Sequence, residues 1–449
     1  MLEWIIISAF ILSFILSFGL GANDVSNAFA TSVGAKVISL RNACILASIA
    51  EFLGCVLLGA NVTSKITSGI VSDLPKTTYM VGMLSVLFSV GVWLLTATYF
   101  KLPVSATHAV VSAIVGFSLL ADASKIQWDK MIGIGVSWVV SPLLSGTLSL
   151  ILSFIVRHLV MNREYPFRAG LKLTPLIYVI TVGINIIPVS NSLVSHFGIF
   201  KDELWPRVGV CAGIVASFCL LTLVVVYSFI LPMTKKSIME MEFENDEAAD
   251  LADDMPHSFI KPRLSSSSLS RTSLIEKDDP NPFIQKQRAE QVFSKLQIMT
   301  AVFTSFAHGS NDVSNSVGPI LGIYNLFFGM DLSTRAPNWL LVYGAVGIIL
   351  GLSLLGSRVI KTLGKDLTPM SPSKGFAIEL GAAMTVLIAT IISLPVSSTH
   401  CKVGSIVMVG MSQGVNWKLC ANILLSWIVT IPFGGMLSVG VFALLRMLI

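Results

Sequence analysis

Charged residues are scarce in this chain of 449 residues, and their scarcity excludes most kinds of protein. Asp, Glu, Lys and Arg make up 12% of the residues, hydrophobic residues make up 54%, and the mean hydropathy is +0.80. Soluble domains carry about 25% charged residues. The apolar runs are about 20 residues long and continuous rather than alternating, which is typical of transmembrane helices and excludes a β-barrel. The sequence therefore predicts an all-α polytopic membrane protein.

Other absences narrow the function further. The six cysteines lie in apolar stretches without paired spacing, so we expect packed thiols rather than disulfides or a metal site. No basic residue precedes the first apolar run, which is therefore expected to be a retained span and not a signal peptide. The net charge of +5 is small and spread among loops, and it does not indicate binding to nucleic acid.

Twelve apolar segments can be counted, seven before a polar break and five after it. They are expected at 4–20, 42–60, 79–100, 104–120, 131–160, 174–189, 207–231, 296–323, 338–360, 375–392, 395–413 and 418–448. The break contains an acidic stretch, MEMEFENDEAADLADD, and a serine-rich one, RLSSSSLSRTS. Its composition predicts a disordered loop.

Two motifs occur twice, which predicts two related halves. Residues 17–27 (SFGLGANDVSN) and 305–315 (SFAHGSNDVSN) agree at eight of eleven positions. Residues 102–108 (LPVSATH) and 394–400 (LPVSSTH) agree at six of seven. The distance between the two motifs is also similar, 79 residues from Asp24 to Pro103 and 83 from Asp312 to Pro395. A shared order and spacing is typical of an internal repeat.

The number of segments predicts the orientation of the halves. Seven segments precede the break, so the second half begins on the opposite side of the membrane and the repeats are inverted. Inverted repeats with re-entrant or broken helices are typical of secondary transporters. The predicted organisation is a first repeat over 1–160, two linking helices over 161–231, a cytoplasmic disordered loop over 232–293, and a second, inverted repeat over 294–449.

The Asn-Asp motif places polar side chains inside apolar segments. A carboxylate near the bilayer centre costs about 2.5–3.5 kcal/mol, so Asp24 and Asp312 are expected to line a cavity or to meet a cation. Carboxylate, amide and carbonyl oxygens suit Na⁺, and the carboxylates could instead bind H⁺; a helix-capping Asp-Asn pair is the alternative. The predicted cation-binding residues of the motif are Asn23, Asp24, Asn27, Asn311, Asp312 and Asn315. Na⁺ is expected at Asp24 and Asp312.

The helix is expected to unwind around this motif, exposing backbone carbonyls to the ion. The residues expected to weaken it are Gly19, Gly21, Gly309, Gly318 and Pro319.

The Pro-Val-Ser motif predicts a helix that begins inside or near the membrane. Proline is favoured in a first helical turn, and both copies lie between apolar runs. Free N–H groups and hydroxyls at a helix start, without a fixed counter-charge, can hold a tetrahedral oxyanion and release it. Side chains that only cap the helix are the alternative. The predicted oxyanion-binding residues are Ser105, Thr107, Ser397, Ser398 and Thr399.

Other ionisable residues lie in the apolar segments. Glu51 and Glu379 are predicted to bind the cation, because a lone intramembrane acid is costly; an ion pair is the alternative. The basic residues that offer such a pair are Arg41, Lys374 and Lys402. His108 and His400, which close the Pro-Val-Ser motifs, are interpreted as hydrogen-bonded structural residues in preference to catalytic or proton-relay groups.

The doubled motifs resemble those of the PiT family of inorganic phosphate transporters, and the resemblance covers the whole chain. It implies electrogenic, cation-coupled uptake of phosphate by a homodimer with an inverted-repeat fold and two re-entrant hairpins. The transport-critical acids that it implies are Asp24, Glu51, Asp312 and Glu379. The phosphate contacts that it implies are Ser105, Thr107, Ser397 and Thr399. Ala106 departs from the family pattern, which carries a hydroxyl there, so the first copy is expected to offer one donor fewer.

The first hypothesis is therefore a Na⁺-coupled phosphate symporter that works by alternating access. It is expected in the plasma membrane with the central loop cytoplasmic, as a homodimer in contact with lipid, without a cofactor other than the coupling ion. The alternatives are H⁺ or metal-phosphate coupling, sulfate as cargo, or a channel. An intramembrane hydrolase using Ser105 or Ser397 with His108 or His400 is disfavoured, because an enzyme needs one nucleophile and this element is duplicated.

Overall fold

Helices make up almost all of the chain that the structure, a computed structural model, describes. The described residues are 2–24, 26–199, 203–240, 281–361, 367–411 and 414–448. Within them, the one extended pairing outside helices is an isolated antiparallel bridge between Val71 and Ile126. The all-α prediction is confirmed.

Eight helices precede the central polar segment and six follow it in the described chain. The first set comprises α1 (Glu3–Asp24), α2 (Ser26–Gly34), α3 (Leu40–Ser68), α4 (Lys76–Tyr99), α5 (Ala106–Asp122), α6 (Trp128–Val156), α7 (Pro166–His196) and α8 (Leu204–Val225). The second set comprises α9 (Pro282–Phe327), α10 (Asn338–Leu355), α11 (Ser357–Lys361), α12 (Pro372–Ile391), α13 (Ser398–Gly410) and α14 (Trp417–Arg446). A π-helical turn extends α6 over Arg157–Met161 and α8 over Val226–Ile230.

Ten helical spans of the described residues are long and apolar enough to cross a membrane. They correspond to ten of the twelve segments that the sequence predicts. The other two segments are also helical, but they differ in kind. Helix α13 has 13 residues, which is too short to cross a bilayer alone, and α9 has 46 residues but carries many polar ones.

The polar break is shorter than the sequence predicts. The expected loop over 232–293 is wrong at both ends, since the span that begins with α8 continues to Glu240 and α9 begins at Pro282. Helix α9 buries Ala289, Val292, Phe293 and Leu296 in this stretch, a helical spacing that its polar composition hides. Residues 241–280 lie outside the described chain.

The expected unwinding of the Asn-Asp motif is also wrong in the described residues. Helix α9 runs unbroken through Gly309, Gly318 and Pro319, and α1 runs through both of its glycines to Asp24. The glycines permit close packing instead. A Cβ on Gly309 would overlap the Glu51 carbonyl of α3, and one on Gly21 would overlap the carbonyl of Ile348 in α10.

Packing between the two halves follows a reciprocal pattern. Helix α1 packs on α10, and its counterpart α9 packs on α3; α5 packs on α14, and its counterpart α13 packs on α6. Likewise α4 packs on α14 while α12 packs on α6. Each contact thus occurs twice with the halves exchanged, which is the arrangement expected of two related repeats. Their inversion across the membrane plane and the predicted bounds of the two repeats stay predictions.

Candidate functional site

The two copies of the Asn-Asp motif meet in the interior of the protein. Asp24 ends α1 and Asp312 lies within α9, and both side chains are buried. Three potential ligand atoms lie within 4.8 Å of one another, a carboxylate oxygen from each of Asp24 and Asp312 and a ring nitrogen of the buried His308. Two carboxylates so close together in a buried site need a cation or a proton between them.

Thr399 links the first carboxylate to the second half. The Asn27 side-chain amide donates to the Thr399 hydroxyl at 2.7 Å. That hydroxyl in turn lies 3.4 Å from Oδ1 of Asp24 and 3.2 Å from the carbonyl of Val104. The start of α13 therefore contacts both the Asn-Asp motif and the Pro-Val-Ser motif of the first half.

Asp312 has a fuller set of partners than Asp24. Its Oδ1 accepts from the Asn311 amide at 2.7 Å, and its Oδ2 accepts from the Ser398 hydroxyl at 2.6 Å. Nε2 of His308 lies 2.7 Å from the same Oδ2, and Nδ1 of His308 lies 2.8 Å from Oε1 of Glu51. An imidazole between two carboxylates joins Glu51, on α3, to the cluster.

Several buried oxygens of the motif have no hydrogen-bond partner among the described residues. They are Oδ2 of Asp24 and the side-chain oxygens of Asn27, Asn311 and Asn315. Buried polar groups are nearly always satisfied in folded proteins. Carboxylate and amide oxygens that lack donors are candidate ligands of a hard cation, which accepts oxygen lone pairs.

The asparagines before each Asp hold the Pro-Val-Ser motifs in place. Oδ1 of Asn23 accepts from the N–H of Val104 at 3.1 Å, and its Nδ2 donates to the Leu102 carbonyl at 2.9 Å. Asn311 donates to the Val396 carbonyl at 2.9 Å. The same carbonyl accepts from Thr107 at 3.1 Å, the reciprocal of the contact from Thr399 to Val104. The four motif copies thus form one polar assembly.

The Pro-Val-Ser motifs start buried helices, as predicted. Helix α5 begins at Ala106 and α13 at Ser398, and each preceding serine is the N-cap. Ser105 accepts from the N–H of His108 and Ser397 from the N–H of His400, each at 3.2 Å. These two serines therefore use the capping geometry that the sequence left as the alternative, and each hydroxyl hydrogen is available to another acceptor.

Glu379 has a different environment from the other predicted acids. Its carboxylate pairs with the buried ammonium of Lys402 and accepts from the hydroxyl of Thr31, and its backbone carbonyl accepts from Thr304 at 3.1 Å. Lys402 was among the ion-pair partners that the sequence allowed. Because this ammonium already neutralises the charge, the geometry favours a structural pair over a cation ligand at Glu379.

The two motif histidines pack against each other. The ring centroids of His108 and His400 lie 4.3 Å apart with the planes at 81°, and each ring also packs on a tryptophan, Trp138 or Trp427. Both histidines are buried. Aromatic packing on both sides agrees with the interpretation of these residues as structural.

The sequence did not point to His308, and it offered Lys402 only as one of three possible ion-pair partners. His308 lies one helical turn before Asp312, so a search for titratable groups at i−4 from the motif acid would have found it. The repeat points only to positions that are identical in its two copies, and His308 is not one of them because it aligns with Leu20. Lys402 likewise aligns with Val110, so the repeat gave no signal for it.

Comparison with known proteins decides the family. The model of the phosphate transporter family matches residues 20–438. The chain belongs to the phosphate transporter family. It is 34% identical to a putative phosphate permease of Chlamydia muridarum, an alignment that covers 99% of each chain. It is 31% identical to sodium-dependent phosphate transporter 1 of Mus musculus, over 99% of this chain and 96% of the mouse protein.

A solved structure agrees with this assignment. The fold of a sodium-dependent phosphate transporter matches all of this chain and all of its own, with a TM-score of 0.82 and 30% sequence identity. The predicted resemblance to the phosphate transporters is confirmed, and so is the expectation of a transporter and not an enzyme.

Proposed function

We propose that this member of the phosphate transporter family is a Na⁺-coupled symporter of inorganic phosphate that works by alternating access. The observation that carries the proposal is the meeting of Asp24 and Asp312 beside the starts of α5 and α13. Cation ligands and helix starts that favour an anion then lie in adjacent positions. The relatives named above as sodium-dependent support Na⁺ as the coupling ion.

In this proposal the cation neutralises the two motif carboxylates. Na⁺ binds Oδ2 of Asp24 with the unpartnered amide oxygens of Asn27, Asn311 and Asn315. Glu51 acts on Asp312 through His308, because its carboxylate contacts the imidazole. A bound cation removes the repulsion between the carboxylates and an incoming anion, so the order of binding is cation first.

Phosphate is proposed to bind at the two helix starts. The N-terminal turns of α5 and α13 direct their dipoles toward it, and hydroxyls supply further donors. Ser105 and Ser397 have uncommitted hydroxyl hydrogens, whereas Thr107, Ser398 and Thr399 would turn to phosphate from their present acceptors. Ser398 and Thr399 contact the motif acids directly, so they couple the anion position to the cation position.

The energetics of uptake favour coupling to more than one cation, because the membrane potential draws in a complex only when its net charge is positive. Moving one negative charge inward against 100 mV costs about 2.3 kcal/mol. An anion that carries one or two charges can be accumulated only if at least as many cations enter with it.

We further propose a homodimer in the plasma membrane with the central segment cytoplasmic.

Uptake into proteoliposomes tests the proposed function. Purified protein is reconstituted, and labelled phosphate is offered with an inward gradient of NaCl or of choline chloride at one pH. We expect accumulation only with Na⁺, a faster rate when the interior is made negative with valinomycin and K⁺, and no effect of unlabelled sulfate. Equal uptake in the two salts would refute Na⁺ coupling.

H⁺ coupling is the second candidate, and the position of His308 between two carboxylates favours it. The same vesicles distinguish the two. H⁺ coupling predicts accumulation in choline chloride driven by an acidic exterior and abolished by a protonophore, whereas Na⁺ coupling predicts accumulation that survives the protonophore.

A further inference from the structure

A small cavity lies apart from the carboxylate cluster, at the face of the protein opposite the central polar segment. Its volume is about 60 Å³, room for about four waters or one small tetrahedral ion. Helix α7 ends there, α8 begins there, and the loop from α9 to α10 closes it, whereas residues 241–280 connect the other ends of α8 and α9. The lining residues are Leu58, Pro188, Asn191, Ser192, Ser195, Arg335, Thr390 and Ile391.

The polar lining of the cavity suits an oxyanion. Arg335 contributes a guanidinium and Asn191 an amide, whereas the hydroxyls of Ser192 and Ser195 already donate to the carbonyls of Leu57 at 2.9 Å and Asn191 at 2.7 Å. A second guanidinium lies at its rim, since Nη2 of Arg207 donates to Asn191 at 2.8 Å and to Ser195 at 2.6 Å. None of the eight lining residues is acidic. Guanidinium groups, which bind phosphate through two parallel hydrogen bonds, are the donors here that favour an oxyanion.

The guanidinium of Arg335 is available to a ligand. Among the described residues it has no partner in an ion pair or a hydrogen bond, and its side chain is exposed. Arg207, by contrast, is held by the end of α7. One fixed and one free guanidinium at the same opening attract an anion without trapping it, because the free one remains hydrated.

One side of the cavity contacts the helix that carries the second Asn-Asp motif. The hydroxyl of Thr390 lies 3.5 Å from that of Ser310, and both side chains are buried. Ser310 directly precedes Asn311 and Asp312 in α9. Through Thr390 the cavity therefore borders α9, the helix that carries the Asn-Asp motif of the second half.

We propose that this cavity is an entry subsite, in which Arg335 and Arg207 capture phosphate from solution before it passes to the helix starts of α5 and α13. The inference rests on the proposed function. The positive charge of the two arginines raises the local concentration of the anion and its association rate. It also offsets the negative potential of Asp24 and Asp312 in the interior. The Na⁺ ligands lie deeper, so their affinity is independent of the subsite.

Charge removal at Arg335 tests the subsite. In Arg335→Gln we expect the apparent KM for phosphate to rise about three- to tenfold, with an unchanged kcat and an unchanged half-saturating Na⁺ concentration. Arg335→Lys retains the charge and should restore most of the affinity. The rise of KM with added choline chloride should be shallower in Arg335→Gln, because screening acts on the charge that the variant lacks. A residue with only a structural role would not alter this salt dependence.

A matched control removes another exposed cation from the same face. Lys76 begins α4, and Tyr79 of the same turn packs on Gly322 near the end of α9, so this lysine lies at the same end of the molecule but outside the cavity. Lys76→Gln should leave KM at the parent value. An independent variant, Arg207→Gln, should raise KM in the same direction as Arg335→Gln.

The outcomes separate the subsite from the proposed function. A parent protein that fails to accumulate phosphate overturns the proposed function. A parent protein that transports, together with an unchanged phosphate KM in both arginine variants, overturns the subsite alone. An equal rise of KM in Lys76→Gln also overturns it, because the effect would then come from the net charge of the face.

Discussion

The hydroxyl of Thr399 lies 3.4 Å from the carboxylate of Asp24, although 375 positions separate the two residues. The reciprocal contact does not exist in the same form. Thr107, the counterpart of Thr399, donates to the carbonyl of Val396, and the second carboxylate, Asp312, is instead contacted by Ser398 and His308. The two related halves therefore build two unequal carboxylate sites.

The inequality has a cause in the sequence. Ser398 aligns with Ala106 and His308 aligns with Leu20, so the first half lacks both groups that satisfy Asp312. Asp24 keeps an oxygen without a donor among the described residues. We infer that Asp24 depends more strongly on a bound cation than Asp312 does.

The first prediction compares neutralisation of the two acids. Asp24→Asn should raise the half-saturating Na⁺ concentration beyond the measurable range or abolish Na⁺-dependent uptake, since loss of a buried charged partner costs about 2–3 kcal/mol, or about 30- to 150-fold in affinity. Asp312→Asn should also abolish coupled uptake, but it should in addition lower the thermal stability of the detergent-solubilised protein. The partners of Asp312 occupy both of its oxygens, and the amide replaces one oxygen by an NH2 group that cannot accept.

The control for this comparison is Asp129→Asn. Asp129 is an exposed acid in the first turn of α6, so its neutralisation should change neither uptake nor stability by a measurable amount. Full Na⁺-dependent uptake by Asp24→Asn, at a normal level of protein in the membrane, would refute the assignment of the cation site.

The second prediction uses the reciprocal threonines. Thr399→Val keeps the shape of the side chain but removes the hydroxyl that contacts Asp24, Asn27 and the Val104 carbonyl. An unmade hydrogen bond to a buried polar group costs about 1–3 kcal/mol, so we expect the half-saturating Na⁺ concentration to rise about fivefold or more. Thr107→Val removes one contact, to a carbonyl, and should have the smaller effect on Na⁺. Uptake measured against Na⁺ concentration gives both values; a larger effect in Thr107→Val would contradict the inequality of the two sites.

The third prediction concerns the buried ion pair of Glu379 and Lys402. Removal of one member leaves an unpaired buried charge and costs about 3–5 kcal/mol, whereas replacement of both members by neutral residues can be nearly neutral. Glu379→Gln and Lys402→Met should therefore each reduce the yield of folded protein, and the double variant should recover it. Thermal unfolding followed by size-exclusion chromatography measures the cycle. Additive losses in the double variant would show that the two residues do not act as a pair.

Much of the site could be predicted from the sequence because of its repetition. Two polar motifs that recur in the same order and at similar spacing indicated two copies of one unit. The cost of buried carboxylates indicated that Asp24 and Asp312 should line a cavity or meet a cation. The helix starts at Ala106 and Ser398 followed from proline and serine chemistry. These inferences depend on short stretches of sequence. They hold more firmly inside a membrane, where an unpaired charge or backbone group costs more than in water.

The residues that break the repeat could not be predicted in the same way. His308, Glu51, Glu379 and Lys402 have apolar or unmatched counterparts, and their pairing depends on which helices pack together. Gly309 was interpreted as a point of unwinding, whereas it allows α9 to approach α3. A glycine in an apolar segment is compatible with both outcomes, and only the neighbouring helix decides between them.

The last prediction concerns two tryptophans in equivalent positions, Trp138 in SWVVS and Trp427 in SWIVT. Each packs on one of the paired motif histidines. The indole N–H of Trp427 donates to the carbonyl of Pro103 at 3.2 Å, but the buried indole nitrogen of Trp138 has no hydrogen-bond partner among the described residues. The indole N–H is thus hydrogen-bonded in one half and lacks a hydrogen-bond partner in the other.

This difference predicts unequal costs for the same substitution. Trp427→Phe and Trp138→Phe remove similar volumes beside similar rings, so the loss of packing nearly cancels in the comparison. Trp427→Phe also removes a hydrogen bond, which is worth about 1 kcal/mol, while Trp138→Phe removes an unsatisfied donor and relieves its desolvation cost. The thermal midpoint of the solubilised protein should therefore fall further in Trp427→Phe. If transport exchanges the conformations of the two halves, the indole N–H of Trp138 becomes hydrogen-bonded in the other conformation of the transport cycle. Trp427→Phe would then destabilise one conformation and Trp138→Phe the other, so each variant should also slow uptake. Equal midpoints with equal uptake rates for the parent and both variants would show that this bond has no part in stability or transport.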